Sequence, residues 1–197
     1  MIRSPVRRRP RFARLAVPAC CVTGALLGTA PLAAQDLDAP RPIAGSNTVF
    51  IEEMTWMEVR DALADGMTTA IVGTGGVEQN GPYVASGKHN FVLSATTEAI
   101  ARELGNALVA PIVKFVPEGS IDPPSGHMRY HATISVRQET FEALLTDIVA
   151  SLAAHGFTDI VLIGDSGGNT RGMQNVADRL NVEWADRPAR VHHIGEY

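Results

Sequence analysis

Four short apolar runs, separated by longer stretches with helical spacing, constrain this chain more than any other feature. They are "TTAIVGT" from Thr68, "NALVAPIVKFVP" from Asn106, "TDIVLIG" from Thr158 and "ARVHHIGEY" from Ala189. A strand that is apolar along both sides is covered on both faces, which is the situation of a parallel sheet between helices. The intervening stretches supply those helices. "TWMEVRDALADG" sets Thr55 and Glu58 at the T-x-x-E spacing of a capping box, with Trp56, Val59 and Leu63 sharing a face and Gly66 placed to end it. "FVLSATTEAIARELG" is a second amphipathic helix closed by Gly105, a long helix runs from Gln138 to His155 before Gly156, and "NTRGMQNVADRLN" is the last. "ATISV" reads as a short strand ahead of the long helix. The alternation predicts an α/β layered domain with a mostly parallel β-sheet flanked by helices.

Residues 1–34 stand apart. "MIRSPVRRRPRFAR" holds six arginines and no acid, "LAVPACCVTGALLGTAPLAA" is uncharged, and polar "QDLD" follows. This is the layout of a secretory signal peptide cut near Ala34. Pro18, Gly24 and Pro31 interrupt the apolar run, which is too short to span a membrane. The expectation is an exported protein, periplasmic or secreted, with no membrane attachment after cleavage. Residues 35–50 read as a proline-rich linker, and 51–197 as the domain. Both cysteines lie in the leader, so the exported chain has no thiol for a disulfide or a metal. It keeps 11 basic residues against 21 acidic ones, a formal charge of −10. With no basic stripe either, a nucleic-acid partner is excluded.

Ligands of parallel sheets bind beyond the carboxyl ends of the strands. The loops there are "GGVEQNGPYVASGKHN", "PEGSIDPPSGHMRYH" and "GDSGGN". The last shares letters with the trypsin-like serine motif, yet here it joins an apolar strand to a helix in a chain without disulfides. Gly164, Ser166 and Gly168 also spell the G-x-S-x-G nucleophile elbow. That layout needs an acid and then a histidine after the serine, and only the strand with His192 and His193 remains. His155 ends a helix, where a cation favours the dipole. His192 and His193 alternate along a strand and face opposite sides.

Taken together, the three loops resemble the creatininase family. "MTWMEVRDALADGMTTAIVGTGGVEQNGP" resembles its T-W-x-E-V helix leading to a strand and a G-S-x-E-Q-H-G-P-H-L-P loop. "SGHMRYHATISV" resembles its histidine followed by an F/Y-P-G-T-I-S strand, and "HGFTDIVLIGDSGGN" its N-G-H-G-G-N segment. The order and gaps agree from about Thr55 to the end. The resemblance implies an α/β fold, a two-metal site and hydrolysis of a small amide or cyclic-amide C–N bond by metal-activated water. It implies a small-molecule substrate and a homo-oligomer.

Carried over position by position, the resemblance makes Glu78 the first metal ligand. The second and fourth ligands of the family are histidines, and Asn80 and Ser166 stand there. The third is an aspartate eleven residues after the glutamate, where this chain has His89. Neutral oxygens hold zinc more weakly than imidazole, while Asp165 offers a carboxylate beside Ser166. The expectation is a rearranged site of Glu78, His89 and Asp165 around one Zn²⁺, Mn²⁺ or Fe²⁺. The alternative for Asp165 is to hold the glycine-rich turn. Catalysis would involve Glu78, with Asn80 or His127 orienting substrate or stabilising the oxyanion. Ser166, Gly167, Gly168 and Asn169 would form the substrate-side loop. The family continues into an H-A-G-E-like motif, so the domain is expected to be incomplete at its C-terminus. Three readings follow: an exported metal-dependent amidohydrolase, a family member that binds without catalysis, and a hydrolase built on Ser166.

Overall fold

The four apolar runs form one parallel sheet in the order β2-β1-β3-β4, in a computed structural model that describes residues 36–195. The strands are β1 (Thr69–Thr74), β2 (Ala107–Val109), β3 (Asp159–Gly164) and β4 (Arg190–Ile194). Around them lie α1 (Trp56–Ala64), α2 (Lys88–Leu104), α3 (Gln138–Ala154) and α4 (Thr170–Glu183). The chain divides into two units, Met1–Ala39 and Pro40–Tyr197. Of the first, only a turn at 36–39 is described, closed by the Ala39 N–H on the Asp36 carbonyl (3.2 Å). The signal peptide predicted over 1–34 lies outside the described residues, as do Glu196 and Tyr197. Among the described residues no helix is long and apolar enough to cross a membrane.

Every residue of β1 is buried, because side chains alternate across a sheet that is covered on both faces. Ala70 and Val72 pack on one face with Phe141 and Leu145 of α3 and with Met173, Val176 and Leu180 of α4. Ile71 points the other way, against Leu93 and Ala101 of α2. The central pair runs in register from Thr69 beside Asp159 to Thr74 beside Gly164. The loops that leave β1 and β3 therefore start at the same level.

The helix signals act as written. The Glu58 N–H donates to Thr55 Oγ1 (3.3 Å) and the Thr55 N–H to Glu58 Oε2 (2.8 Å), a complete capping box. Glu58 also accepts the Ser46 N–H (2.6 Å) and hydroxyl (2.8 Å), which pins the end of the stretch read as a linker. Gly105 closes α2 at φ 74°, a conformation glycine adopts without strain. His155 caps α3. His192 faces Asp159 (2.9 Å) and His193 faces Gln174 (2.8 Å), on opposite sides of β4.

Three readings need correction. Trp56 does not share the core-facing side of α1 with Val59 and Leu63: it is 41% exposed, with the Arg60 guanidinium over its ring at 5.4 Å. "ATISV" forms no extended strand and meets its neighbours only through the isolated bridges Val77–Ile134 and Val116–Ser135. In "NALVAPIVKFVP" the strand is Ala107–Val109, and beyond Pro111, which has no N–H to donate, the chain meets β1 again through the isolated bridge Thr74–Val113.

Helices α3 and α4 pack tightly at Gly172. A Cβ there would lie 2.7 Å from two ring carbons of the fully buried Phe141 and 2.8 Å from Gln138 Nε2. Alanine gains about 1 kcal/mol in helix propensity, whereas overpacking costs about 1–3 kcal/mol. We expect Gly172→Ala to lower stability by about 1 kcal/mol net in urea unfolding. A raised midpoint would refute the close packing.

Candidate functional site

Beyond β1 the chain passes through Gly75 and Gly76 to Glu78. The twin glycine is a spatial requirement. A Cβ on Gly75 would overlap Asn90 Oδ1, and one on Gly76, at φ 156°, would overlap Glu118 Oε1. Asn90 grips Gly76 at both ends, accepting its N–H (3.1 Å) and donating to its carbonyl (2.8 Å). That grip fixes the first turn of α2, so Lys88 to Asn90, read from sequence as loop, belong to the helix. The turn carries no apolar spacing because it faces the site.

After β3 the chain turns through Asp165 to Gly168 into α4. Asn169, fully buried, closes this turn on β1: its Nδ2 donates to the carbonyls of Thr74 (2.9 Å) and Gly75 (2.8 Å). A third segment, following β2, brings in Glu118, whose N–H donates to Ser135 Oγ (2.9 Å). The Glu118 carbonyl accepts the His127 N–H (3.0 Å).

These segments set five ionisable side chains around one cavity of about 530 Å³. His89, 5% exposed, stands between two carboxylates: Nε2 lies 2.7 Å from Glu78 Oε1 and Nδ1 2.8 Å from Asp165 Oδ2. The second oxygen of Glu78 faces His127 Nδ1 at 3.2 Å. The line His127–Glu78–His89–Asp165 is thus continuous, and Glu118 lines the cavity beside it. A hollow of about 570 Å³ beside the first turn of α3 is lined by no histidine.

The two glutamates are driven apart in acidity. Burial, reinforced by the hydrogen bond and charge of Glu78, raises the Glu118 carboxyl to about 8. Burial also pushes Glu78 upward, but its hydrogen bonds with Glu118 and His89 and the nearby imidazole charges outweigh that and lower it. Two buried carboxyls in contact share one proton, and Glu118 holds it.

The residues expected at the site are mostly here. Glu78, His89, His127, Asp165, Ser166, Gly167 and Gly168 line the cavity. Asn80 does not, because its amide donates to the Glu78 carbonyl (3.1 Å) and clips the loop. Asn169 lies beneath the loop and holds it. Asp165 spends a carboxylate oxygen on His89. Ser166 makes no side-chain hydrogen bond among the described residues, so no base activates it. Glu118 was not singled out from sequence; the one signal is a carboxylate directly after the run "KFVP".

The set Glu78, His89, Asp165 does not fit one cation. A metal ligand must aim a lone pair at a shared point, whereas the His89 nitrogens face different carboxylates on opposite sides of the ring. Among the described residues no group of three or more histidine, aspartate or glutamate side chains is arranged to hold a metal ion.

Glu118 has a pH consequence. Its folded carboxyl keeps a proton that the unfolded chain releases near 4.5. Between about 4.5 and 8 the folded state therefore binds more protons, and stability falls as pH rises. We expect Glu118→Gln, neutral and of the same shape, to flatten that fall and to raise stability at pH 8 by on the order of 2 kcal/mol. Urea midpoints across this range would contradict the assignment if wild type and variant ran parallel.

The family model described as creatinine amidohydrolase matches residues 52–196. Creatinine amidohydrolase of Pseudomonas putida is 28% identical over 118 residues, 60% of this chain and 45% of that protein. The 3-dehydro-scyllo-inosose hydrolase of Thermotoga maritima is 24% identical over 119 residues, 60% of this chain and 36% of that protein. The chain thus spans less than half the length of these curated relatives. A crystal structure of creatinine amidohydrolase superposes with TM-score 0.63 at 24% identity, covering 76% of this chain and 58% of that one. Creatininases described as Zn-Zn type (TM-score 0.62, 24% identity, covering 76% and 58%) and as Mn (0.64, 23%, covering 75% and 58%) are similar in fold. With the sheet, the loop order and the family model in agreement, this chain belongs to the creatininase family.

Proposed function

We propose that the domain takes a small amide or cyclic amide into the cavity at the carboxyl edge of the sheet and hydrolyses its C–N bond with its own acid–base groups. The observation that carries this reading is the line His127–Glu78–His89–Asp165, with Glu118 beside it, inside one cavity. Two acids whose environments separate their proton affinities are the usual mark of an acid and base assignment. Glu78 Oε2 and the Gln79 amide nitrogen both lie against His127 Nδ1, at 3.2 and 3.3 Å, and hold the ring at the cavity, where His127 takes a proton from water. The water oxygen attacks the carbonyl carbon, the C–N bond breaks, and Glu118 protonates the departing nitrogen. The proton on His127 returns to Glu118 through Glu78, so one water is consumed and an acid and an amine leave. Zinc or manganese chemistry, implied by the resemblance, is set aside here because the three candidate ligands bind one another.

Binding without turnover is the second reading. It is favoured by His89, engaged on both sides, and by Asn80 and Ser166 at positions where the family has histidines. We further place the protein outside the cytoplasm, because residues 1–34 carry the leader pattern. Intact mass of the exported chain should then correspond to a start at Gln35, and a retained leader would count against export.

The test is a panel of small amides, cyclic amides and ureides, with an inosose added because the Thermotoga relative is named for one. Binding is followed by calorimetry and amine release by NMR. We expect turnover that falls about 10²–10⁴-fold in His127→Ala, with affinity nearly unchanged. Tight binding with no product assigns the second reading. No binding by a folded protein rejects both.

A further inference from the structure

We propose that this chain is a metal-free branch of its family, in which the His89 imidazole fills the site, held between Glu78 and Asp165. The inference rests on the cavity proposed above being the working site, but not on turnover.

An ionised carboxylate has only acceptor oxygens, so a ring nitrogen can bond it only by carrying hydrogen. His89 contacts a carboxylate from both nitrogens, at 2.7 and 2.8 Å. Both ring nitrogens are therefore engaged, and neither turns a lone pair to a point shared with the other candidate ligands.

The ring is also held in place. It is 5% exposed, and its helical turn is tied to β1 by the two Asn90–Gly76 hydrogen bonds. To free a nitrogen for a metal, His89 must give up one of these two contacts. The other positions offer no compensation. The Asn80 amide is spent on the Glu78 carbonyl at 3.1 Å, and Ser166 presents a neutral hydroxyl. A divalent ion would have to displace the His89 ring without a replacement donor set.

The experiment uses the purified exported protein. It is incubated with excess Zn²⁺ or Mn²⁺, desalted and assayed for metal, and its histidine ring nitrogens are followed by ¹⁵N NMR, with His89→Gln for assignment. We expect substoichiometric metal and no change in the His89 nitrogen signals on adding Zn²⁺. The variant Asn80→His/His89→Asp/Ser166→His, which puts back the family's ligand types, should retain metal and melt higher with Zn²⁺ than without it. Stoichiometric metal in wild type, lost in Glu78→Ala, would overturn the inference, as would a His89 nitrogen that shifts on Zn²⁺ addition. The wild-type arms decide the matter even if the triple variant fails to fold. Turnover is read separately: a metal-free protein without activity sinks only the hydrolysis, and a metal-loaded active one sinks this inference and the metal-free route while leaving amide hydrolysis standing.

Discussion

The in-register parallel pairing of β1 with β3 is the constraint from which the site follows. It places Thr74 beside Gly164, so the chain leaves the sheet at two adjacent points, one leading to Glu78 and the other to Asp165. Asn169 locks the two exits by donating its buried amide to the end of β1. Helix α2 then needs only its first turn to set a histidine between the two acids. A slip of one residue in the pairing would invert every β1 side chain between the two core faces and separate the carboxylates. The hydrophobic sheet and the polar site are one arrangement.

Two buried glutamates show how far environment outweighs burial. Glu58 and Glu118 are 6% and 5% exposed. Glu58 receives the backbone N–H groups of Ser46 and Thr55 and both their hydroxyls, and its carboxyl is lowered to about 2. Glu118 instead meets Glu78, and burial next to a second carboxylate raises it to about 8. Donors stabilise the anion, and a neighbouring anion destabilises it. The first glutamate ties the N-terminal segment to α1. The second keeps a proton inside the cavity.

The conserved-looking letters of "GDSGGN" illustrate the limits of a motif. The loop sits where a nucleophile elbow would, at the end of an apolar strand. Yet its serine has no activating partner, and its aspartate is committed to His89. The same loop also lacks the imidazole that the family pattern places there. Its chemistry is therefore that of a carboxylate support and a glycine-lined wall, while Glu118 and His127 reach the cavity from the segment that follows β2.

The sequence by itself determined the layers. Apolar strands must be covered on both faces, and the Thr55–Glu58 box, Gly105 and Gly156 mark helix ends through local backbone chemistry that needs no distant partner. It also located the three loops, because a parallel sheet puts its strand ends together. Only the tertiary structure decided what those loops do. His89 meets Glu78 across 11 residues and Asp165 across 76, and no local pattern encodes that a ring will be bonded from both sides. For the same reason the sequence did not single out Glu118: its acidity depends on Glu78, brought against it by folding. Trp56 and "ATISV" were misread because helical spacing and β-branched composition do not say which face a neighbour will cover. Local chemistry fixes elements, whereas the charge and bonding of a site belong to groups that meet only once the chain has folded.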